Sequence, residues 1–327
     1  NTFSVGFQLG EGEEKDKFNA DSEIASRTAR HFGATHHAMT LEARDVASLF
    51  PTMIRHMSNP VANATALSQL YLAQKTKDTA TVVLAGDGGD ELFGGYERYR
   101  QALWAKTLAP VFPRGMAKFF SSSLKTVHFD GVERYAQLMF QHSDAWLPPL
   151  TGLPESETKA LFLDIFAGSP DIADALMRAD EQNWLISEAL ARTDHMGMAA
   201  SVEVRVPLLD LEVSALAHAL PRAYKTSLWG TKRVLKDAFR DVLPKEVLVQ
   251  PKRGWFSPGA KWLRRPEFIA LADEILSDQY TNTSTLFNLE EVRRAFVEHR
   301  EKKAYHFINL WAVLVFLSWS KEYSITV

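Results

Sequence analysis

The chain has 327 residues, 46% of them hydrophobic and 24% charged, and 37 basic against 40 acidic side chains give a formal net charge of −3. This near-neutral balance lacks the basic excess that binds nucleic acids or anionic membranes. The absence of cysteine excludes disulfides, thiolate metal sites and a cysteine nucleophile on this chain. It also fits a cytoplasmic protein. The length suffices for one large or two modest domains.

The ends of the chain carry no targeting signal. Residues 1–10 lack the basic start and apolar run of a secretory signal. The longest apolar stretch, 307–319, is interrupted by Asn309 and falls short of the ~18 apolar residues that a membrane-spanning helix needs. It predicts a buried helix instead. Residues 2–7 read as a buried strand, and since proteins seldom open mid-strand, we expect the chain to be the tail of something longer.

Strands and helices alternate over the first hundred residues. The pattern predicts strands at 3–8, 36–41 and 79–85, and helices at 21–32, 43–56 and 65–77. A polar loop covers 11–17, and Gly33 ends the first long helix. The apolar, β-branched run at 79–85 is typical of a strand buried on both faces of a parallel sheet. The prediction is therefore an α/β fold with a parallel, doubly wound sheet.

The character of the sequence changes after Tyr96. Residues 97–327 read almost entirely as helices, separated by segments rich in proline and glycine. We therefore divide the chain into an α/β nucleotide-binding part, 1–96, and a large, mostly helical C-terminal extension, 97–327, that folds back over it.

Five of the 17 glycines fall within residues 86–95, directly after the third predicted strand. Open α/β sheets bind ligands at such positions, where bare N–H groups can face anions. The same turn holds Asp87, Asp90 and Glu91, which would repel a naked phosphate but could hold Mg²⁺ against a polyphosphate. The spacing matches neither the dinucleotide fingerprint nor the Walker loop. A tight turn with solvated acids is the plain alternative.

Two further segments combine charge with turn residues. In 191–210, Glu203 and Arg205 read as a structural ion pair in an extended segment that ends at Pro207. In 251–258, Lys252 lies on a turn between Pro251 and Gly254, where a lysine can reach a phosphate as a point charge. A solvated surface lysine is the alternative there.

Taken together, these segments resemble the synthetase domain of the asparagine synthetase family, the ATP-pyrophosphatase half of glutamine-dependent amidotransferases. Matches run in family order over nearly the whole chain, and the blocks 86–96 and 201–210 are the most specific. The resemblance implies an ATP-pyrophosphatase fold of the adenine nucleotide α hydrolase-like type. It also implies a two-step reaction with ATP and Mg²⁺: a carboxylate is adenylated with release of pyrophosphate, and ammonia then displaces AMP to form an amide.

The resemblance assigns the nucleotide and metal contacts. Val5 matches a strand residue that touches the adenine, and Ala85 and Gly86 match a Ser-Gly pair that lines the nucleotide, with the serine hydroxyl lost here. Asp90 matches the Mg²⁺ ligand. Lys252 matches a lysine that contacts pyrophosphate and the activated carboxyl.

The remaining catalytic assignments come from the same resemblance. Asp87 takes the place of a glutamate in asparagine synthetases and of a tyrosine in the related β-lactam synthetases. At this position the resemblance implies that Asp87 assists adenylation or takes a proton from the amine. Arg192 and Asp194 match a Lys-x-Asp-Arg stretch near the substrate, with Arg in place of Lys and His195 in place of the last Arg. Glu188 is matched to an acidic residue of that region, and Glu203 and Arg205 to scaffold positions.

Two family features are missing upstream of Thr2: the first strand with its Ser-Gly-Gly-x-Asp-Ser pyrophosphate loop, and the N-terminal glutaminase domain with its first-residue cysteine. We therefore expect this chain alone neither to hydrolyse glutamine nor to bind ATP well. We expect small-molecule partners and neither nucleic acid nor a membrane. A homodimer is compatible with the sequence.

Three alternatives remain open. The motif Gly88-Gly89-Asp90-Glu91-Leu92 is similar to the loop of diguanylate cyclases, but the helical residues that follow disfavour that fold. An inactive scaffold that keeps the fold is the non-enzymatic alternative. Among ligases, aspartate is the first choice of acceptor, with natural products, sugars and peptides as the others.

Overall fold

The computed structural model of the protein describes residues 1–10, 15–108, 110, 166, 171–250, 254, 256–277 and 287–325. Within these ranges the elements in chain order are β1 (Thr2–Phe7), α1 (Lys15–Phe18), α2 (Ala20–His31), β2 (His36–Leu41), α3 (Ala43–His56), α4 (Thr65–Thr76), β3 (Val82–Leu84), α5 (Gly89–Phe93), α6 (Glu97–Leu108), α7 (Ile172–Ala179), a π-helical segment (Asp180–Leu190), α8 (Ala191–Met198), β4 (Glu203–Arg205), a 3₁₀ turn (Pro207–Leu209), α9 (Leu211–Ala219), α10 (Arg222–Lys225), α11 (Arg233–Ala238), α12 (Lys245–Val249), α13 (Gly259–Trp262), α14 (Pro266–Ile275), α15 (Leu289–Arg300) and α16 (Phe307–Glu322).

The protein is a mixed α/β structure in which helices predominate and all four of these strands pair in parallel. β1 pairs with β2 from Thr2 opposite His36 to Phe7 opposite Leu41. β3 pairs with β4 from Val82 opposite Glu203 to Leu84 opposite Arg205. The described strands form these two separate pairs, so the doubly wound sheet remains a prediction, as does the division at residue 96.

The boundaries expected for the early elements agree closely with those observed. α2 ends where Gly33 adopts a left-handed φ of 63°, and the amide of Ala34 donates to the carbonyl of Ala29 at 2.8 Å. This 6→1 hydrogen bond closes the C-terminal end of the helix and requires a left-handed backbone at residue 33. Glycine adopts that conformation without strain. The polar loop expected at 11–17 lies partly outside the described residues, and what is described of it forms α1.

The prediction that the run 79–85 is buried on both faces is wrong. The strand spans only Val82–Leu84, and Val82 and Leu84 are 42% and 73% exposed. Val83, which points to the opposite face, packs against Ala73 and Val202. One face is thus covered and one is not, because within the described residues nothing packs over Leu84.

The largest hydrophobic cluster joins β1 and β2 to α3, α4 and the C-terminal helices. Phe50, Phe268 and Trp311 form its aromatic centre, with ring centroids 5.4 to 5.7 Å apart and each side chain at most 1% exposed. α16 confirms the buried helix expected at 307–319. None of the helices in the described ranges is long and apolar enough to cross a membrane.

α7, the π-helical segment and α8 follow one another from Ile172 to Met198 without a break in helical backbone. π-helical winding inside longer helices is frequent at functional sites. After α8 the chain forms β4 and the 3₁₀ turn, which confirms the expected passage from a helix end into an extended segment ending at Pro207.

Candidate active site

The glycine-rich loop, residues 86–95, follows β3 and contains the short helix α5. Gly88 and Gly94, which flank that helix, have left-handed φ values of 84° and 66°. Gly95 has a different role: a Cβ there would overlap the carboxylate of Asp90 and the side chain of Lys232. The glycines therefore permit both the turn and the close approach of charged groups to its backbone.

Asp90 forms an ion pair within this loop. Its Oδ1 lies 3.0 Å from Nζ of Lys232, and both side chains are largely buried. Lys232 immediately precedes α11 and has a φ of 51°, a left-handed conformation that is uncommon for a residue other than glycine. Sparsely populated backbone conformations of this kind cluster at functional sites, where the surrounding structure holds them.

Asp87 points towards α8. Oγ1 of Thr193 donates to Oδ1 of Asp87 over a long 3.5 Å, and Nε2 of Gln69 donates to the same Oγ1 at 3.0 Å. Burial raises the pKa of Asp87 above its ordinary value, and the charge of Arg192 and the Thr193 hydroxyl act in the opposite direction. A half-buried carboxylate with a raised pKa holds a proton more strongly than an exposed aspartate, which makes it a candidate for proton exchange with a substrate.

Glu188 and Arg192, which lie one helical turn apart, form the centre of a second polar group. Nε and Nη2 of Arg192 donate to the two carboxylate oxygens of Glu188 at 2.6 and 3.3 Å, and Nδ2 of Asn63 donates to Oε1 at 2.7 Å. Arg192 is only 7% exposed. Its Nη1 is buried without a partner in the described part of the chain. Such a donor is costly unless a ligand or water meets it.

A buried network lies beside the loop. Glu91, 3% exposed, accepts a hydrogen bond from the Tyr96 hydroxyl at 2.6 Å, and Tyr96 accepts one from Nε1 of Trp184 at 3.2 Å. Further along, Arg98 and Tyr99 both donate to Asp180, at 2.8 and 2.5 Å. This network joins the loop and α6 to the π-helical segment, so it fixes the position of α5 from within.

Of the five predicted catalytic residues, the structure brings together Asp87, Glu188 and Arg192. Asp194 is exposed on α8, and within the described part of the chain it forms no hydrogen bond or ion pair with this group. Lys252 lies outside the described residues. The predicted ion pair of Glu203 and Arg205 is present at 2.8 Å, on the exposed surface.

Of the predicted nucleotide contacts, Val5 lies on β1, and Ala85 and Gly86 directly follow β3. Ala85 donates its amide to the carbonyl of Arg205 at 2.9 Å, and Gly86 is exposed, with open space where a side chain would be. The side chain of Val5 is 5% exposed and belongs to the main hydrophobic cluster. Any contact of Val5 with a nucleotide must therefore use its backbone.

Asp90 is the carboxylate that the resemblance assigns to Mg²⁺. Among the described residues, no three His, Asp or Glu side chains converge to hold a metal. Mg²⁺ is usually held by one or two carboxylates, with substrate phosphates and water completing its shell. Asp90 fits such a site as a single carboxylate donor, and Lys232 beside it adds a cation suited to the same phosphates.

Sequence reasoning gave no role to four of these residues: Lys232, Asn63, Gln69 and Thr193. Lys232 is far from Asp90 in the sequence, and no spacing rule predicts the contact between their side chains. Gln69 lies within an ordinary apolar helix pattern and Asn63 lies just before it, so neither residue carries a signal of its own.

The fold and site together define an α/β protein whose glycine-rich loop gathers acidic and basic side chains after a parallel strand, as anion-handling sites do. The family model for asparagine synthase matches residues 1–321, and the chain belongs to that family.

Named relatives support this assignment. A putative glutamine-hydrolysing asparagine synthetase of Mycobacterium tuberculosis is 30% identical, with 97% of this chain and 50% of the relative covered. Asparagine synthetase 1 (glutamine-hydrolysing) of Bacillus subtilis is 28% identical, with 97% and 51% covered. The amidase chyE of Penicillium rubens is 21% identical over 76% of this chain. The chain spans about half the length of the curated relatives it matches.

Proposed function

We propose that this chain carries the ligase half of an asparagine synthetase-like enzyme, which adenylates a carboxylate with Mg·ATP and then forms an amide with ammonia. The observation that carries the proposal is the contrast between two carboxylates of one loop. Asp87 is half-buried, with a raised pKa, and faces Thr193 and Arg192, whereas Asp90 is paired with Lys232. Groups in contrasting environments are suited to different roles.

In the first step, a carboxylate oxygen of the acceptor attacks the α-phosphorus of ATP, and the bond to the β-phosphate oxygen breaks as pyrophosphate leaves. Asp90 would hold Mg²⁺, which neutralises charge on the phosphates when bound. Lys232, next to Asp90, would neutralise the departing pyrophosphate. Lys252 is proposed to act on the same phosphates from its own segment.

In the second step, the nitrogen of ammonia attacks the acyl carbon, and AMP leaves with the bonding electrons. The nitrogen must lose a proton, which Asp87 is proposed to accept, since its raised pKa makes it a stronger base than an ordinary aspartate. The Nη1 donor of Arg192, buried without a partner in the described ranges, is aligned by Glu188 to bind an acceptor carboxylate. Asp194 is proposed to contact substrate from the edge of α8.

The nucleotide is proposed to lie against Val5, Ala85 and Gly86, with the exposed Gly86 giving room for it. Aspartate is the proposed acceptor, because relatives over nearly the whole chain are named asparagine synthetases. More distant relatives are named amidases, which favours as a second candidate an acceptor other than aspartate. Glutamine is proposed as the ammonia source, through a glutaminase domain in the remainder of the full-length protein.

The test is pyrophosphate release from Mg·ATP by the longest parent reading frame, with aspartate plus ammonium or glutamine, against a reaction without acceptor. Release that requires aspartate supports the proposal. Release with another carboxylate and not with aspartate would identify that carboxylate as the acceptor. The absence of any acceptor-dependent release would favour an inactive scaffold. Lys252→Ala should abolish release without moving the thermal midpoint, whereas Lys77→Ala, at an exposed lysine of the α4 end, should leave it intact.

A further inference from the structure

A cavity of about 260 Å³ lies beside α5, the helix that carries Asp90, and is separate from the group around Asp87 and Arg192. Glu91 and Leu92 of α5 form part of its wall. The rest comes from α7, the π-helical segment, the end of α9 and α10, with the ionisable side chains Asp174, Arg178, Glu181, His218, Arg222 and Lys225. The volume is slightly below that of typical drug-sized sites, so it suits a smaller molecule.

Most charges on this wall already have partners. Glu91 accepts from Tyr96, and His218 lies 2.8 and 3.0 Å from the two oxygens of Glu181. Arg222 donates to Asp171 at 2.7 Å and to the carbonyl of Thr226 at 2.8 Å. Arg178 is exposed and is engaged as well.

Lys225 and Asp174 differ from these groups. Lys225 is only 6% exposed, yet its ammonium group forms no hydrogen bond or ion pair with any residue that the structure describes. The same holds for the carboxylate of the half-buried Asp174, whose backbone amide donates to Asp171. Burial lowers the pKa of Lys225, and the charges of Asp174 and Glu181 act in the opposite direction. Because Lys225 lines the cavity and its ammonium group is unpaired within the described ranges, it is available to a ligand of opposite charge.

The signs of these two charges select the ligand. A simple anion would be attracted by Lys225 but repelled by Asp174. A simple cation would be attracted by Asp174 but repelled by Lys225. A molecule with a carboxylate and an ammonium group on one small framework gives each an opposite charge. We propose that this cavity binds the zwitterion of a small α-amino acid, with its carboxylate on Lys225 and its ammonium group on Asp174.

The position of the cavity links it to the loop. A side chain at Gly94 would come within 3.3 Å of the Cβ of Lys225, so the lysine stem packs directly against the C-terminal end of α5. An amino acid in the cavity would therefore contact the element that positions Asp90, from outside the proposed catalytic group.

The test is calorimetric titration of the full-length parent protein with glycine and with L-asparagine, at concentrations up to about 10 mM. Acetate and methylamine, which carry one charge each, serve as ligand controls. Lys225→Met and Asp174→Asn should each weaken amino-acid binding by about tenfold or more, because each removes one partner of a desolvated charge pair. The matched variants Lys77→Met and Asp78→Asn, at exposed positions, should bind as the parent does.

Arg192→Gln separates this site from the proposed catalytic site. Binding that survives Arg192→Gln and is weakened by Lys225→Met and Asp174→Asn supports the proposal. Binding that is lost in Arg192→Gln but unchanged in both cavity variants, or no heat with either amino acid, overturns it. Pyrophosphate release from Mg·ATP is measured independently, so the ligase function can stand or fall without this site. Thermal midpoints identify any variant that fails to fold, and Lys225→Gln then replaces Lys225→Met.

Discussion

Oδ1 of Asp90 lies 3.0 Å from Nζ of Lys232, in a space that exists because residue 95 is glycine. The loop thus presents a carboxylate and an ammonium group side by side. In the proposed reaction both groups act on phosphates, the carboxylate through Mg²⁺ and the lysine directly. Their pairing in the free protein keeps each charge compensated until a substrate arrives.

Lys232→Met should raise the KM for Mg·ATP, because the cation beside the proposed phosphate position is lost while the stem of the side chain is kept. We expect about a tenfold to hundredfold effect, in line with the loss of a buried charged contact. Initial rates of pyrophosphate release against Mg·ATP measure it. Lys77→Met is the control, and an unchanged KM in Lys232→Met would remove the lysine from phosphate binding.

Asp87→Asn should lower amide formation by about 10²–10⁴-fold, the usual contribution of a general base. It should not lower the thermal midpoint, because the variant removes a carboxylate whose ionisation burial opposes. Amide formation with ammonium, followed by chromatography, measures the first effect. Asp78→Asn, at an exposed position, should match the parent in both assays. Full activity in Asp87→Asn would exclude it as the base.

The raised pKa of Asp87 predicts how stability and activity depend on pH. Between the ordinary pKa and the raised one, the native state holds a proton that the unfolded chain has released. Its contribution to stability is therefore lost as the pH rises from the ordinary value of 3.8 through the raised one. Amide formation needs the deprotonated form and should fall on acidification at a higher pH than an unperturbed aspartate would give. A rate profile with an inflection at or below the ordinary value contradicts this.

Glu188→Gln should raise the KM for the acceptor carboxylate more than it lowers kcat. The glutamine cannot hold Arg192 through two charged contacts, so the guanidinium loses its alignment. Kinetics with varied acceptor measure the split. Glu203→Gln, which breaks an exposed ion pair of similar length, is the matched control and should change neither constant. An effect on kcat alone would point to a role for Glu188 in the chemistry itself.

Tyr96→Phe should destabilise the protein by about 1–3 kcal/mol, because it leaves the buried carboxylate of Glu91 and the indole N–H of Trp184 without this shared partner. Chemical denaturation measures the change. Tyr224→Phe, at an exposed tyrosine, should have little effect. If Tyr96→Phe were as stable as the parent, the network could not be what fixes α5.

The sequence predicted α2, β2, α3 and α4 to within a residue or so, because their periodicity is a local signal, as is the glycine that ends α2. It also located the glycine-rich loop and three residues that the structure brings together around it. The contacts of Lys232, Asn63 and Gln69 could not be predicted, since each depends on which distant segments pack together. The error at Leu84 has a related cause: an apolar run shows that a side chain can be buried, not that something covers it.

That open face has a practical consequence for anyone handling the 327-residue chain by itself. Exposed apolar side chains on one face of a strand favour association with other molecules, so solutions of the chain should become turbid as they are concentrated. Leu84→Lys would place a charge on the open face without touching the packed side at Val83. Light scattering of the two proteins at matched concentration would show whether colloidal behaviour, rather than misfolding, limits work with this chain.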